Sequence, residues 1–271
     1  MIRQANNIFN INNSVGYILD VDASKVIEAV RSTGVVITPA MRHYAHYLIS
    51  NMKNIGTWQL SSAVYGMMGG TAASHKWNWK DLRDVDAAFR LTYSGGITHS
   101  ANGMQGNGTT GYANTFLPQN FNTNLSSLHV SFNSFSNPTY SDQVEIGCWS
   151  SFGASMVVMQ TPQTYITGSF PYADITFPTN AIGYRITSRT SASRITCFAN
   201  GMQGGTSLVT VPVNAISLSF SILGLNVVGG GTQNISNRGC SFATIGAGLT
   251  DQQAIQQSQI VTNSQNILNR A

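Results

Sequence analysis

Residues 217–222 read Ser-Leu-Ser-Phe-Ser-Ile, a strict alternation of polar and apolar side chains. Successive side chains of a β-strand point to opposite faces of its sheet, so this alternation predicts a strand with one buried face. Similar short runs, each followed by a turn sequence, recur from about Ser61 to Ile245. They include residues 88–93, 128–135, 144–149, 181–188 and 193–199.

The spacing of these runs indicates the fold class. Short runs recur every ten residues or so, with no helical period between them. This pattern favours two antiparallel sheets that pack face to face. We therefore predict a mainly β fold, an antiparallel β-sandwich of the jelly-roll type, with N-terminal helices and a C-terminal helix.

Three helices are predicted outside the strand region. The clearest begins at Pro39 with Thr38 as its N-cap, and apolar side chains then recur on one helical face. A shorter helix is predicted over about 23–32. The last helix follows Thr250-Asp251-Gln252-Gln253, which has the form of a capping box. Its thin apolar stripe could dock on the sandwich or meet copies of itself.

These patterns divide the chain into four parts. We predict an N-terminal arm at 1–18, a helical anchoring region at 19–58, the jelly-roll sandwich at 59–248 and the C-terminal helix at 249–271. The arm is rich in Asn, and its beginning contains no apolar stretch of the kind found in secretory signals.

One hexapeptide, Ala-Asn-Gly-Met-Gln-Gly, occurs at 101–106 and again at 199–204. Asn-Gly between alternating strands is typical of a type I′ hairpin turn, so the second copy is predicted to link two paired strands. We interpret the repetition as reuse of turn chemistry. Duplication of a half-domain is the alternative.

The composition excludes several classes of partner. Only 9% of the 271 residues are charged, and a net charge of +4 is spread along the chain without a basic cluster. Nucleic-acid binding needs clustered cations, so we expect no nucleic-acid partner. The sequence contains no run of 18 apolar residues, so we expect no membrane insertion. Weak charge repulsion between copies is common in proteins that live packed in assemblies.

The acidic residues do not form a catalytic pair. Glycoside hydrolysis generally needs two carboxylates, and Glu145 is the sole glutamate of the strand region. Asp142 lies three residues away, on the opposite face of a strand. We therefore predict no catalytic residues and no cofactor, although a polysaccharide-active enzyme that uses Glu145 is the weakest of the alternatives.

Two clusters have the residue types of metal ligands. Asp81-Leu82-Arg83-Asp84-Val85-Asp86 is acidic, but Arg83 interrupts it, and we expect Arg83 and Arg90 to pair with its aspartates. His43 and His46 are three apart on a helix, with no third ligand near in sequence. We predict no metal site.

Three cysteines, Cys148, Cys197 and Cys240, are far apart and lack a metal-binding spacing. We interpret them as buried free thiols in a reducing compartment. A disulfide between two of them is the alternative.

Aromatic residues are the candidate contacts for a carbohydrate or another partner. Trp77 and Trp79 alternate as on one face of a strand, and with Tyr112 and Trp149 they could form a platform on which sugars stack. The alternative, which the composition of β-sandwich cores favours, is that they are core residues.

Six segments resemble a known family. They are Met68-Gly69-Gly70-Thr71-Ala72-Ala73-Ser74-His75-Lys76-Trp77-Asn78-Trp79-Lys80, 84–91, Ser94-Gly95-Gly96, Thr98-His99-Ser100, 107–115, and Phe242-Ala243-Thr244-Ile245-Gly246-Ala247-Gly248-Leu249-Thr250-Asp251. They are similar to a family of bacteriophage virion structural proteins with a laminin-G/concanavalin A-like jelly-roll domain, found in head-fibre, decoration and tail proteins. The resemblance covers about 58–271.

The resemblance implies a non-enzymatic structural component of a bacteriophage particle, a head fibre, capsid decoration or tail-associated protein. Other virion proteins of the capsid or tail would be its partners, and we expect a homo-oligomer whose copies meet through the arm, the helical stripes or sheet edges. The protein would be made and assembled in the cytoplasm of the host bacterium. A host-surface glycan is a further candidate partner, and a lectin-like carbohydrate-binding module is the alternative function.

Overall fold

A computed structural model of the chain describes residues 18–122, 124, 126–138, 143–150, 157–160, 165–167, 176–177, 182–207 and 216–270. The predicted arm, apart from Ile18, lies outside the described residues.

The described helices begin and end at clear signals. They are α1 (Val21–Arg31), α2 (Pro39–Asn54), α3 (Thr57–Leu60), α4 (Ala72–His75) and α5 (Asp251–Ile267). The Thr38 side chain accepts a hydrogen bond from the Met41 amide at 3.2 Å, and Thr250 and Gln253 form a complete capping box. The three helices predicted from the sequence are confirmed. Within the described residues, no helix is both long and apolar enough to cross a bilayer.

The strands form two sheets. In chain order they are β1 (Ser61–Tyr65), β2 (Thr92–Ser94), β3 (Ile97–Ser100), β4 (Gly103–Gly106), β5 (Tyr112–Pro118), β6 (Leu128–Ser134), β7 (Gln143–Trp149), β8 (Val157–Gln160), β9 (Tyr165–Thr167), β10 (Thr176–Phe177), β11 (Gly183–Ser191), β12 (Arg194–Ala199), β13 (Met202–Ser207), β14 (Ser219–Ile222), β15 (Leu225–Val227), β16 (Gly231–Gln233) and β17 (Gly239–Gly246).

The eight-stranded inner sheet has the order β13-β12-β11-β6-β17-β4-β3, with β1 also beside β17. The nine-stranded outer sheet has the order β10-β9-β8-β7-β14-β5-β2, and the β15–β16 hairpin joins it at β7. Neighbouring strands are antiparallel except that β15 runs parallel to β7. The predicted β-sandwich with helices at both ends is confirmed.

The central strands of the inner sheet are buried on both faces. One hydrophobic core lies between the two sheets and contains Phe132 of β6, Phe220 of β14 and Ile245 of β17. A second core lies between the inner sheet and the helices, where Ile186 and Phe242 meet apolar side chains of α1, α2 and α5. Every residue of β6 and β17 is buried as a result. The molecule therefore has three layers: helices, inner sheet and outer sheet.

The apolar stripes of the helices are covered by the chain itself. On α2, the residues Tyr44, Ala45, Leu48, Ile49 and Met52 are all buried in the second core. Helix α5 docks on the sandwich through Ala254 and Val261, and its buried Gln257 donates a hydrogen bond to the Tyr184 hydroxyl at 2.6 Å. The expectation that these stripes join copies of the protein is wrong, because they are already buried against the inner sheet.

The two hexapeptide copies both form hairpins, but in different registers. In the second copy Asn200 and Gly201 have φ values of 52° and 78°, and they link β12 to β13 as predicted. In the first copy the turn lies one residue earlier, and Gly103 is already the first residue of β4. A Cβ at Gly103 would lie 2.1 Å from the Cys240 carbonyl oxygen, so glycine is required there for the close approach to β17.

Removing a buried side chain from α2 should destabilise the whole molecule. We expect Ile49→Ala to lower the free energy of unfolding by about 2–5 kcal/mol, because it leaves a cavity in the second core. Val36→Ala, at a site 85% exposed, is the control and should change it by less than about 0.5 kcal/mol. Urea denaturation followed by far-UV circular dichroism and tryptophan fluorescence should show one shared transition. Separate transitions for the two signals would contradict a common core.

Candidate binding surface

Two of the four candidate aromatics are core residues. Trp77 and Trp79 are 7% and 3% exposed and belong to the second core. They lie in the segment after α4, outside the named strands, and Trp79 packs edge-on against the ring of Tyr44 at 5.7 Å between centroids. A Cβ at Gly66 would lie 2.0 Å from the Trp79 ring. A surface ligand cannot reach these rings, so the core interpretation replaces the platform interpretation for them.

The other two candidates lie on the outer sheet but far apart. The register aligns Asn114 of β5 with Ser221 of β14, and Ser221 with Gly147 of β7. Tyr112 and Trp149 are therefore two strands apart, roughly 10 Å, and offset by four residues, roughly 13 Å, at usual strand spacings. The structure does not bring them together in one site.

Trp149 lies on the outward face of β7, beside the β15–β16 hairpin. Its neighbour Cys148 faces the core between the sheets, so Trp149 points to the other side and is 43% exposed. Val227 is directly paired with Trp149 across the parallel β15–β7 ladder, and Leu225 with Gly147. Gln233 of β16 is in turn paired with Leu225. We call Trp149, Leu225, Val227 and Gln233 the tryptophan platform.

The backbone around the platform is fixed. The Val228 amide donates a hydrogen bond to the Trp149 carbonyl oxygen at 3.1 Å, which holds the β15–β16 turn beside the indole. On the reverse face of β15, the Asn226 amide group donates to the Ser219 carbonyl oxygen at 2.8 Å. The platform is therefore a partly apolar surface whose backbone is held by hydrogen bonds on both sides of β15.

The outer sheet around the platform carries no exposed charge. Strands β2, β5, β7 and β14–β16 contain one residue of the types Asp, Glu, Lys, Arg and His. It is Glu145, and its side chain is fully buried. A charged ligand would find no ionic partner on these strands. A neutral ligand loses less hydration energy than a charged one when it leaves water, so the polar groups and the indole face of this surface can compensate for that loss.

Glu145 itself forms a buried ion pair. Its Oε1 lies 3.1 Å from Arg238 Nε, and both side chains are almost completely buried. Burial raises the pKa of the carboxyl, while Arg238 and Arg185 oppose that rise. The β7–β8 pairing shifts register at this residue. A polysaccharide cannot reach the carboxyl, which removes the residue on which the enzyme alternative depended.

The acidic cluster is neutralised by arginines, as predicted. Arg83 pairs with Asp81 at 2.5 Å, and Arg90 pairs with Asp86 at 3.0 Å and with Asp84 at 3.3 Å. Each aspartate therefore already has a cationic partner, and cation binding would have to displace it.

The other predicted metal candidates are also occupied. The Nδ1 atom of His46 accepts a hydrogen bond from the Asp20 amide at 2.9 Å, and His43 packs edge-on against Tyr47. Throughout the part of the chain that the structure describes, no three His, Cys, Asp or Glu side chains are placed to hold one ion. All three cysteines are buried free thiols, and burial raises the pKa of Cys148 and Cys240.

The contact between two histidines, His75 and His99, was not predicted from the sequence. The Gly70 amide donates to His75 Nε2 at 3.0 Å, so the ring proton of neutral His75 resides on Nδ1. This Nδ1–H then donates to His99 Nδ1, 3.1 Å away. The bond ties α4 to the edge strand β3. No local pattern could reveal it, because the two residues are 24 positions apart.

Burial keeps His75 and a second histidine, His129, neutral. Burial, followed by the charges of His99 and Arg270, lowers the pKa of His75 to about 3. Burial lowers the pKa of His129 to about 4, although its Nδ1 donates to the Ala247 carbonyl oxygen at 2.5 Å. Both rings act as structural hydrogen-bonding groups.

The comparisons with known proteins concern the fold. No protein-family model matches the sequence, and no curated protein matches it. Domain 4 of AbnA, an extracellular GH43 arabinanase from Geobacillus stearothermophilus, solved with arabinotriose, is 16% identical with a TM-score of 0.44, over 73% of this chain and 98% of that one.

A structure of botulinum neurotoxin type C, which enters cells through interaction with two ganglioside molecules, is 10% identical with a TM-score of 0.50, over 77% of this chain and 53% of that one. The CBM40 domain of a Ruminococcus gnavus IT-sialidase, bound to α2,3 sialyllactose, is 9% identical with a TM-score of 0.36, over 49% and 80%. At these identities the likeness concerns the β-sandwich fold alone.

The two buried histidines should make the protein sensitive to acid. Their pKa values lie below the ordinary 6.5, so the unfolded chain binds protons that the folded chain does not. The free energy of unfolding should be highest above pH 6.5 and should fall below it, by about 1.4 kcal/mol per pH unit for each histidine until about pH 4. Urea titrations between pH 4 and 8 measure this. Stability that is flat over that range would contradict the assignment.

Proposed function

We propose that this chain is a non-catalytic recognition protein that binds a neutral carbohydrate through the tryptophan platform. The observation that carries the proposal is a partly exposed indole, Trp149, on an outer-sheet surface without exposed charge. The apolar face of a sugar ring can stack on a partly exposed indole, and burial of the two apolar surfaces against each other is favourable.

The layering of the molecule supports this location. Helices α1, α2 and α5 share the second core with the inner sheet, and its central strands β6 and β17 are buried on both faces. The side of β7 that carries Trp149 is turned away from both cores. A ligand can therefore reach the outer sheet at the platform without any rearrangement of the fold.

The chemistry of the platform favours an uncharged ligand. Sugar hydroxyls both donate and accept hydrogen bonds, and the exposed Gln233 side chain, two strands away from Trp149, has an amide with both functions, although its Nε2 lies 3.4 Å from the Gly230 carbonyl oxygen. Arabinotriose, bound by the arabinanase domain, is a neutral sugar, whereas gangliosides and sialyllactose carry anionic sialic acid. The proposal of a neutral ligand therefore rests on the platform residues and not on these proteins.

Removing the indole should abolish binding without unfolding the protein. On a glycan array, and by calorimetry with the best neutral glycan, we expect Trp149→Ala to weaken binding at least about tenfold, or about 1.4 kcal/mol. Trp149→Phe should retain part of the affinity because it keeps an aromatic face.

The matched control is Tyr112→Ala, which removes a half-buried aromatic from the same sheet, far from the platform. It should leave the affinity unchanged. Equal loss in both variants, or no neutral glycan bound by the parent protein, would contradict the proposal.

We further propose that the protein is carried on a bacteriophage particle, as a head fibre, decoration or tail-associated protein. This rests on the resemblance of 58–271 to phage virion proteins, and the low charge of the chain supports it.

The virion proposal predicts that antibodies against the folded protein label purified particles. Mass spectrometry of the same particles, after a density gradient and protease treatment, should recover its peptides in constant ratio to the major capsid protein. A protein that stays in the lysate supernatant and never sediments with particles would contradict it.

A further inference from the structure

A groove lies on the outer side of the helical layer. It is a groove of about 380 Å³ between α5 and the turn that joins β12 to β13, and its lining residues are Asn200, Ser258, Gln259, Thr262 and Asn263. Because α5 covers the inner sheet, this groove lies on the opposite side of the sandwich from the tryptophan platform.

We propose that this groove is a binding site for a neutral saccharide, separate from the tryptophan platform. All five lining side chains are uncharged amides or hydroxyls. Asn200 and the buried Ser258 already use their side-chain groups in hydrogen bonds within the protein. The exposed Gln259, Thr262 and Asn263 are the side chains that offer donors and acceptors to a ligand. Vicinal sugar hydroxyls have the same dual character, and the volume lies in the range usual for small-molecule sites.

The turn that forms one wall is rigid. The Asn200 amide donates to the Tyr184 carbonyl oxygen at 2.7 Å, and Asn200 Oδ1 accepts from the Tyr184 amide at 2.8 Å. Gly201, at a φ of 78°, brings the turn against α5, because a Cβ there would lie only 3.7 Å from Ser258 Cβ. The recess therefore exists before any ligand binds, which reduces the entropic cost of binding.

The other wall of the groove is formed by side chains of α5, some of which are held by hydrogen bonds within the protein. Asn263 Nδ2 donates to the Tyr47 hydroxyl at 3.1 Å, which orients the amide. Gln259 and Thr262 are exposed on α5, with no hydrogen-bond partner among the described residues. Their side chains are the ones we expect to bond the ligand directly.

The lack of charged residues along most of α5 excludes some classes of ligand for the groove. From Gln252 to Asn269 the chain carries no Asp, Glu, Lys or Arg, so the groove lacks the cations that a nucleic acid or a phosphorylated ligand requires. The Ile182 carbonyl oxygen accepts a hydrogen bond from Asn200 Nδ2 at 3.3 Å. The side chains that line the groove are all polar, so hydrogen bonds are the contacts that it offers to a ligand.

The test is a titration of the full-length, isotope-labelled protein with maltose, cellobiose, lactose and N,N′-diacetylchitobiose, followed by amide chemical shifts. At least one disaccharide should shift Gln259 and Thr262 in a saturable manner. Gln259→Ala and Thr262→Val should each weaken that binding at least about tenfold.

Two controls make the result specific to the groove. Asn266→Ala changes an exposed amide of the same helix outside the groove, and Trp149→Ala removes the platform; both should leave the groove affinity within about twofold. Absence of saturable shifts at Gln259 and Thr262 would overturn the proposal. Equal weakening by Asn266→Ala, or loss of all shifts in Trp149→Ala, would also overturn it, whatever the outcome at the platform.

Discussion

The inner sheet must be covered on both faces, and the rest of the structure follows from this. Phe132 and Ile245 point into the core between the sheets, while Ile186 and Phe242 point into the core under the helices. Burial of apolar surface is the main stabilising contribution to folding, and neither the helices nor the outer sheet alone could cover both sets of side chains. The three helices that pack there are therefore part of the folding unit.

This layering decides which surfaces remain for recognition. The helical stripes that might have joined copies of the protein are buried against the inner sheet, and Glu145 is enclosed with Arg238. Among the residues that the structure describes, the tryptophan platform on the outer sheet and the amide-lined groove on α5 are uncharged and lie on opposite sides of the sandwich. A chain in which 9% of residues are charged can offer hydrogen bonds and apolar contact, but little ionic attraction.

Local patterns predicted the elements well and the site poorly. The caps at Thr38 and Thr250 depend on three or four adjacent residues, so the sequence shows them directly. The Trp77-Asn78-Trp79 alternation suggested a strand. In the structure Asn78 Oδ1 accepts hydrogen bonds from the Val64 and Lys80 amides, and the two indole rings on either side of it are buried in the second core. Trp149 lies beside Val227, which is 78 positions away, and a local sequence pattern cannot show such a long-range pairing.

Native-state hydrogen exchange tests the two-sided burial of the inner sheet most directly. Amides of β17 around Thr244 and amides of α2 and α5 around Leu48 and Val261 lie in layers that share the second core. If the helices and the inner sheet form one cooperative unit, these amides should exchange with the same free energy of opening, equal to that of global unfolding. Helix amides that open at a much lower free energy, while β17 stays protected, would show that the helices are an accessory layer.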